Sequence, residues 1–335
     1  MVVESDNALM KMALDSAWAY QGLTFPNPAV GAVISNDKGE ILGIGAHKAA
    51  GLPHAEVEAI KQAYIFLNGD TRLQAVENST EIHTFLKTYH NNIFQNLTLH
   101  VTLEPCNHYG KTPPCSQLIH ELGFKRVVIG SKDLSDTAKG GGEFLRNLGV
   151  EVVFDCLRQA CDELLEPFLT WQNHKPFIFF KLALSANGVA KGGIITSESS
   201  RKEVHKLRDK CDLLVIGGNT VRIDRPLLDA RLCDGKAPNV MIYSAHKNFD
   251  QSIPLFSVQR REVLIESSFE KLRHYKFVMV EGGQGMLNAT LQNIQWYLIF
   301  QSPHFKEGQS IALPVGLREI FSRKIGEDTM TWYKK

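Results

Sequence analysis

The residues best suited to chemistry are His54-Ala55-Glu56 and the cysteines Cys106 and Cys115. One imidazole and two thiolates can hold zinc with three ligands. The open fourth tetrahedral position suits a catalytic zinc better than a structural one. Glu56 is badly spaced as a fourth ligand but well placed as a proton shuttle. The set points to hydrolytic deamination of an amino-heterocycle. Two thiolates and a neutral imidazole offset the charge of the dication, and zinc held this way would make water acidic enough to supply hydroxide near neutral pH. Glu56 would take that proton and return it to the ring nitrogen and the leaving amine. Taken singly, these features are ordinary: a lone cysteine is usually a buried thiol, and His-x-Glu is usually a surface pair. The conjunction with Thr102-Leu103-Glu104-Pro105-Cys106 carries the reading. Nucleotide and nucleic-acid deaminases usually show Pro-Cys-x-x-Cys, whereas here eight residues separate the two cysteines.

The pattern along the chain predicts the elements that must hold these groups. Leu9, Met12, Ala13, Ser16, Ala17 and Tyr20 recur at helical spacing after a candidate cap at Ser5 or Asp6. Ala29 to Ser35 and Glu40 to Ala46 read as strands joined by a turn at Asp37-Lys38-Gly39. A helix should start near His54, after Pro53. Leu97 to Leu103 reads as a buried strand delivering Pro105-Cys106, and Cys115 opens a helix to Leu122. Helix starts favour negative charge and would stabilise the thiolates. Strands follow at Val127 to Gly130 and Val150 to Phe154. Residues 64–95 break the rhythm and read as a surface insertion with a helix around Glu81 to Tyr89. A helix after Cys156 and a polar joint at Gln172 to Lys175 give the boundary: a deaminase domain over 1–155, a connecting helix and linker over 156–173, and a second domain over 174–335. There, strands are expected at Phe177 to Ala183, Leu213 to Ile216, Val240 to Tyr243, Phe277 to Val280 and Trp296 to Phe300. Helices are expected over Arg201 to Lys210 and after Glu281-Gly282-Gly283. Alternating strands and helices place both halves in the α/β class.

With 335 residues, 44% hydrophobic and 22% charged, the chain reads as an ordinary globular protein of two domains. A net charge of +1 gives no electrostatic case for nucleic acid or a membrane surface as the main partner. No segment reads as a signal peptide or membrane span. Six cysteines without an export signal suggest a reducing, cytoplasmic setting. Cys156, Cys161, Cys211 and Cys233 read as structural thiols.

The longer cysteine spacing leads to a family. The run Thr102 to Cys115, with Asn107-His108-Tyr109-Gly110-Lys111-Thr112-Pro113-Pro114 inside it, resembles the bifunctional deaminase–reductases of riboflavin biosynthesis. So do Pro26-Asn27-Pro28-Ala29-Val30-Gly31 and His47 before Gly51-Leu52-Pro53-His54-Ala55-Glu56. In the second half Leu207-Arg208, Gly218-Asn219-Thr220-Val221, Asp224-Arg225-Pro226 with Arg231, and Glu281-Gly282-Gly283 resemble the reductase part. The resemblance covers nearly the whole chain and is stronger before residue 135. It implies a cytidine-deaminase-like α/β/α domain followed by a dihydrofolate-reductase-like α/β domain. The implied activities are deamination of a 2,5-diamino-6-(phosphoribosylamino)pyrimidinone, then reduction of the product's ribose to a ribityl chain, with zinc and NADPH as cofactors. By matching positions, His54, Cys106 and Cys115 bind zinc and Glu56 moves protons. Asn27, His47, Lys111 and Asp133 hold the first substrate; Asn27 can donate and accept at a ring edge, and Lys111 can meet a phosphate. Arg208, Leu228, Arg231 and Glu281 hold the second substrate, where arginine suits phosphate. Ala183, Thr196, Thr220, Asp224, Ser244 and Gly283 hold the nicotinamide cofactor, glycine allowing close backbone approach at a helix start. The resemblance also implies small phosphorylated pyrimidines as partners and a homo-oligomer.

Some positions depart from the family pattern. Ser135 stands for an Asn, Ser185-Ala186-Asn187-Gly188 for Ser-Leu-Asp-Gly, and Ile194 for a tryptophan in a shortened stretch before Thr196. On sequence alone three other readings stay open: a nucleotide or nucleic-acid deaminase, a structural zinc protein, and a working deaminase joined to a non-catalytic reductase-like domain. Charge and spacing argue against the first, and the missing fourth ligand against the second.

Overall fold

Apolar strands alternating with helices yield two separate sheets. A computed structural model describes residues 5–110, 113–135 and 138–335. It divides into two compact units, the first ending at Gln172 and the second beginning at Asn173.

The first unit opens with α1 (Asp6–Trp18). Ser5 is its cap, the hydroxyl accepting from the Ala8 N–H. Strands β1 (Gly31–Ser35) and β2 (Ile41–Ala46) form a hairpin. Its turn is closed by the Asn36 side chain, which accepts from the Lys38 and Glu40 N–H groups. Then come α2 (Ala55–Asn68), α3 (Ser79–Tyr89), β3 (Thr98–Leu103), α4 (Cys115–Glu121), β4 (Arg126–Ser131), α5 (Gly141–Asn147), β5 (Glu151–Val153) and α6 (Arg158–Gln172). The sheet order is β2-β1-β3-β4-β5, with β1 antiparallel to both neighbours and β3, β4 and β5 parallel.

Two glycines show how tightly helices close on this sheet. A Cβ at Gly31 would sit 1.9 Å from the Ala13 carbonyl oxygen of α1, and one at Gly45 would sit 2.3 Å from the Ala55 oxygen of α2. Gly45 pairs with Ala32, the residue after Gly31. Successive strand residues face opposite ways, so α1 and α2 cover opposite faces. The glycine of the Pro-Asn-Pro-Ala-Val-Gly run is therefore fixed by close approach of a helix.

The stretch expected as a surface insertion is built differently. Residues 64–68 complete α2, and Tyr64, Leu73, Ile82, Leu86 and Phe94 are buried in the same core cluster as Ile60 and Leu118. Its polar residues face outward and mask an apolar face of helical period; α3 buries Ile82 and Leu86, four apart. Likewise α6 belongs to the first unit. Cys161 closes on Gly130 of β4, Leu165 lies in the core cluster, and Gln21 donates to the Leu164 carbonyl.

The second unit comprises β6 (Phe177–Leu184), α7 (Glu198–Lys210), β7 (Leu213–Gly217), α8 (Gly218–Asp224), β8 (Asn239–Tyr243), β9 (Val263–Glu266), β10 (Phe277–Glu281), α9 (Gln284–Thr290), β11 (Trp296–Gln301), β12 (Arg318–Ile325) and β13 (Asp328–Lys334). The sheet order is β12-β13-β11-β6-β10-β7-β8-β9. The run from β11 to β9 is parallel, and β13 adds antiparallel to β11. The central strands are buried and nearly all apolar, as a parallel sheet requires. The β12–β13 hairpin and β9 were not expected from sequence. Strands β9 and β12 mix charged and apolar residues and are only partly buried, whereas β13 buries Met330, Thr331 and Trp332.

Candidate functional site

Chain geometry brings the three predicted metal ligands together. His54 is the cap residue of α2, Cys106 follows β3 through Pro105, and Cys115 is the first residue of α4. Their ligand atoms all lie within 4.8 Å of one another. His54 Nδ1 is 3.7 Å from Cys106 Sγ and 3.4 Å from Cys115 Sγ. Zinc bonds of about 2.0 Å to nitrogen and 2.3 Å to sulfur, meeting at a tetrahedral angle, would hold N and S roughly 3.6 Å apart. The donor set fits zinc as it stands. The Cys115 N–H donates to Cys106 Sγ. The Cys115 thiol and His54 hold Cys106 far below the usual thiol range. Cys115 is pushed up, because the Cys106 thiolate and burial oppose a second charge. Burial alone would lower His54, but the Cys106 contact and the Glu56 charge outweigh it and raise it to about 9. The field that draws a proton to this imidazole would equally draw a dication.

Glu56 lies in the first turn of α2, only 4% exposed. Burial pushes its carboxyl up to about 7, against the pull of His54. A group poised there can both take and give a proton near neutrality. His47 Nδ1 lies 3.0 Å from the Pro53 carbonyl oxygen, so this nitrogen must carry the proton. Nε2 then accepts from the Asn27 amide 3.1 Å away, and Asn27 keeps its oxygen as a free-standing acceptor. Burial holds His47 below its usual range and so neutral.

Glu104, from the motif run, has a role the sequence did not suggest. It is buried, and its carboxylate accepts from the N–H groups of Asp133, at 3.0 Å, and Gly142, at 2.8 Å. It thereby clasps the loop of Asp133 to the strand end that carries Cys106. Asp133 in turn accepts from the Ser135 N–H. Lys111 lies outside the described residues. Asn27, His47, His54, Glu56, Cys106 and Asp133 line one cavity of about 540 Å³. Asn78, Ser79, Thr80, Phe168 and Gln172 line it too. No motif flagged these five, because they come from the supposed insertion and connecting helix.

In the second unit the predicted residues gather at the carboxyl ends of parallel strands, where open α/β sheets bind ligands. Ala183 is near the end of β6, Thr220 lies just beyond β7, Ser244 follows β8, Glu281 ends β10 and Gly283 caps α9. A Cβ at Gly283 would meet nothing within 4 Å, so its backbone is open to a close-lying group. Ser244 Oγ donates to the His246 carbonyl and accepts from Arg222. Thr196 is buried beside Ser197, which caps α7 and is clasped by Asp328. Asp224 closes α8 and is exposed.

Arg208 and Glu281 meet as a two-pronged pair, both contacts 3.0 Å. Lys181 Nζ lies 3.4 Å from the same carboxylate. Burial alone would raise Glu281, but Arg208 and Lys181 outweigh it and hold it at about 2. Burial lowers Lys181. A lone strand lysine gives no sequence signal, so Lys181 was missed. Arg208 also donates to the Asp229 carbonyl, and Arg231 pairs with the Asp229 side chain at 2.6 Å. Leu228 takes a left-handed backbone, φ 55°, and its carbonyl accepts from Arg261. At the departing Ser-Ala-Asn-Gly turn, Asn187 accepts from Ser185 and the Lys306 N–H while donating to the Lys306 carbonyl. A carboxylate could not make that last bond.

An α/β/α unit with a His-Cys-Cys donor set beside a buried glutamate defines a zinc-dependent deaminase, here followed by a second α/β unit. Residues 3–131 match the cytidine and deoxycytidylate deaminase zinc-binding region, and residues 176–305 match the RibD C-terminal domain. The riboflavin biosynthesis protein RibD of Aquifex aeolicus is 32% identical over the whole of both chains. That of Corynebacterium ammoniagenes is 31% identical over 88% of this chain and 85% of its own. A Thermotoga maritima structure, named as a diaminohydroxyphosphoribosylaminopyrimidine deaminase/5-amino-6-(5-phosphoribosylamino)uracil reductase, matches with TM-score 0.65 at 27% identity, covering 98% of each chain. The chain belongs to the RibD family of riboflavin biosynthesis proteins, bifunctional enzymes with a deaminase and a reductase domain.

Proposed function

We propose that the first unit, to about residue 172, deaminates a diaminohydroxyphosphoribosylaminopyrimidine. The second then reduces the ribosyl group of 5-amino-6-(5-phosphoribosylamino)uracil. The observation that carries the first assignment is Glu56, buried in the same cavity as His54 and Cys106. His54, Cys106 and Cys115 would hold zinc, which when bound supplies the Lewis acidity that makes water a nucleophile near neutral pH. Glu56 takes a proton from the attacking water on a carboxylate oxygen. It passes that proton to the ring nitrogen, then takes the remaining proton from the hydroxyl formed at the attacked carbon and passes it to the departing amine, so ammonia leaves as the carbonyl forms. Asn27, fixed by neutral His47, presents its amide oxygen to a ring donor. Asp133 and Lys111 complete the substrate contacts.

In the second unit NADPH would supply the hydride. The residues proposed to hold it are Ala183, Thr196, Thr220, Asp224, Ser244 and Gly283. Leu228 and Arg231 would hold the phosphorylated substrate. Arg208 acts mainly by fixing Glu281. Glu281 stays charged and orients the sugar, and the buried Lys181 ammonium helps hold that carboxylate in place. We also propose a homo-oligomer working in the cytoplasm on small phosphorylated pyrimidines rather than nucleic acid.

The test is Glu56→Gln, which keeps the shape but cannot accept a proton. Deamination should fall by at least ~10²–10⁴, while NADPH oxidation on supplied deaminated substrate continues. Deamination at the wild-type rate would remove Glu56 from this role.

A further inference from the structure

The segment between α2 and β3 has no part in the mechanism so far, yet it forms one side of the deaminase cavity. Asn78, Ser79 and Thr80 line the same cavity as Glu56 and Cys106. This wall is firmly held. Leu73, Ile82, Leu86 and Phe94 anchor the segment in the core. Lys61, one turn and a half beyond Glu56 on α2, is buried, and its Nζ donates to the Val76 carbonyl at 3.0 Å. The same ammonium pairs with buried Glu58 at 3.1 Å, and Glu58 also pairs with Lys48 at 3.2 Å. A buried ammonium needs such partners. Here it ties the chain two residues before Asn78 to the helix that carries Glu56.

Burial gives the cavity a direction. Glu56 is 4% exposed and Ser79 6%, whereas Asn78 and Thr80 are exposed. The reacting ring must reach Glu56 at the buried end, so the remainder of the substrate passes toward the rim. That remainder is a polyhydroxylated, phosphorylated arm, and the wall offers it a hydroxyl at two depths along this path, buried Ser79 and exposed Thr80.

We propose that Ser79 and Thr80 contact the phosphoribosyl arm of the deaminase substrate, and that Lys61 is the positioning residue that holds them in place. The inference rests on the deaminase reading above. The wall therefore sets selectivity for arm-bearing substrates and takes no part in proton transfer.

The experiment compares the phosphoribosyl substrate with the bare triaminopyrimidinone, which lacks the arm. In the Ser79→Ala/Thr80→Ala double variant, KM for the phosphoribosyl substrate should rise about threefold to tenfold, as expected for one or two neutral hydrogen bonds. Its kcat should hold within about twofold, the signature of lost binding that is uniform through the reaction. Activity on the bare pyrimidinone, zinc content and reductase activity should not change. Lys61→Met should show the same split. Where that variant does not fold, the double variant decides. Equal losses on both substrates, or no change on either, would overturn the inference. A wild-type protein that fails to deaminate the phosphoribosyl substrate would overturn the functional reading, and this inference with it.

Discussion

The first unit concentrates its chemistry, whereas the second spreads it. In the first, three ligand atoms converge within 4.8 Å from a helix cap, a strand end and a helix start. In the second, the matching residues lie along the ends of several parallel strands, and their charges are tied up in one another. The contrast follows from what each site must hold. A metal ion demands donors at bond length, so its ligands sit in short runs whose spacing is tightly constrained. A dinucleotide spans a crevice and is met largely by backbone and single side chains, which leave little trace in sequence.

Breaking the first unit should give the largest effect. In Cys115→Ser a hydroxyl replaces a thiolate ligand. Zinc measured on purified protein should fall from about one per chain toward none, and deamination should go with it. Reduction of supplied deaminated substrate should survive. Unchanged zinc content would remove Cys115 from the ligand set.

Glu281→Gln should act on both stability and activity of the second unit. It strands Arg208 and Lys181 together without their shared anion, a loss of about 3–5 kcal/mol for a buried pair. The pH dependence follows from the direction of the shift. Glu281 is lowered from 4.5 to about 2, so its contribution is present above pH 4.5 and is lost as pH falls toward 2. Acid unfolding of the variant, followed by circular dichroism, should therefore be less steep across that window. An identical acid profile would mean that the ion cluster does not support the fold.

The smallest effect is expected at Arg231, whose side chain is 59% exposed. Arg231→Ala should raise KM for the phosphorylated reductase substrate about tenfold, the low end for a charged hydrogen bond. KM for NADPH should barely move. A larger effect on NADPH would reassign Arg231 to the cofactor.

How much was legible in the sequence follows the same divide. His54, Glu56, Cys106 and Cys115 were readable because their types and spacing admit few other uses. The run of helices and strands through the first unit, apart from the short α5, was readable from apolar periodicity. Within residues 64–95 the helix around Glu81 to Tyr89 was readable but its burial was not, since a helix that buries only Ile82, His83 and Leu86 of its long side chains looks polar in a short window. The cavity wall at Asn78 to Thr80 was lost with it. Glu104 stood inside a recognised run, yet its clasp on Asp133 and Gly142 joins residues far apart in sequence. Lys181 was hidden because one lysine in an apolar strand gains meaning only beside Glu281. At Asn187 a departure from the family pattern proved to be a turn that uses both faces of the amide.

The central claim is that one chain carries out two chemically distinct steps in order. The direct measurement is to give the purified protein the diaminopyrimidine substrate, with and without NADPH, and identify products by mass. Without NADPH, the product in which an amino group is replaced by oxygen should accumulate. With NADPH, that product should be consumed, gaining two hydrogens as the ribosyl ring opens to a ribityl chain. Accumulation of the deaminated product even at saturating NADPH would contradict the account.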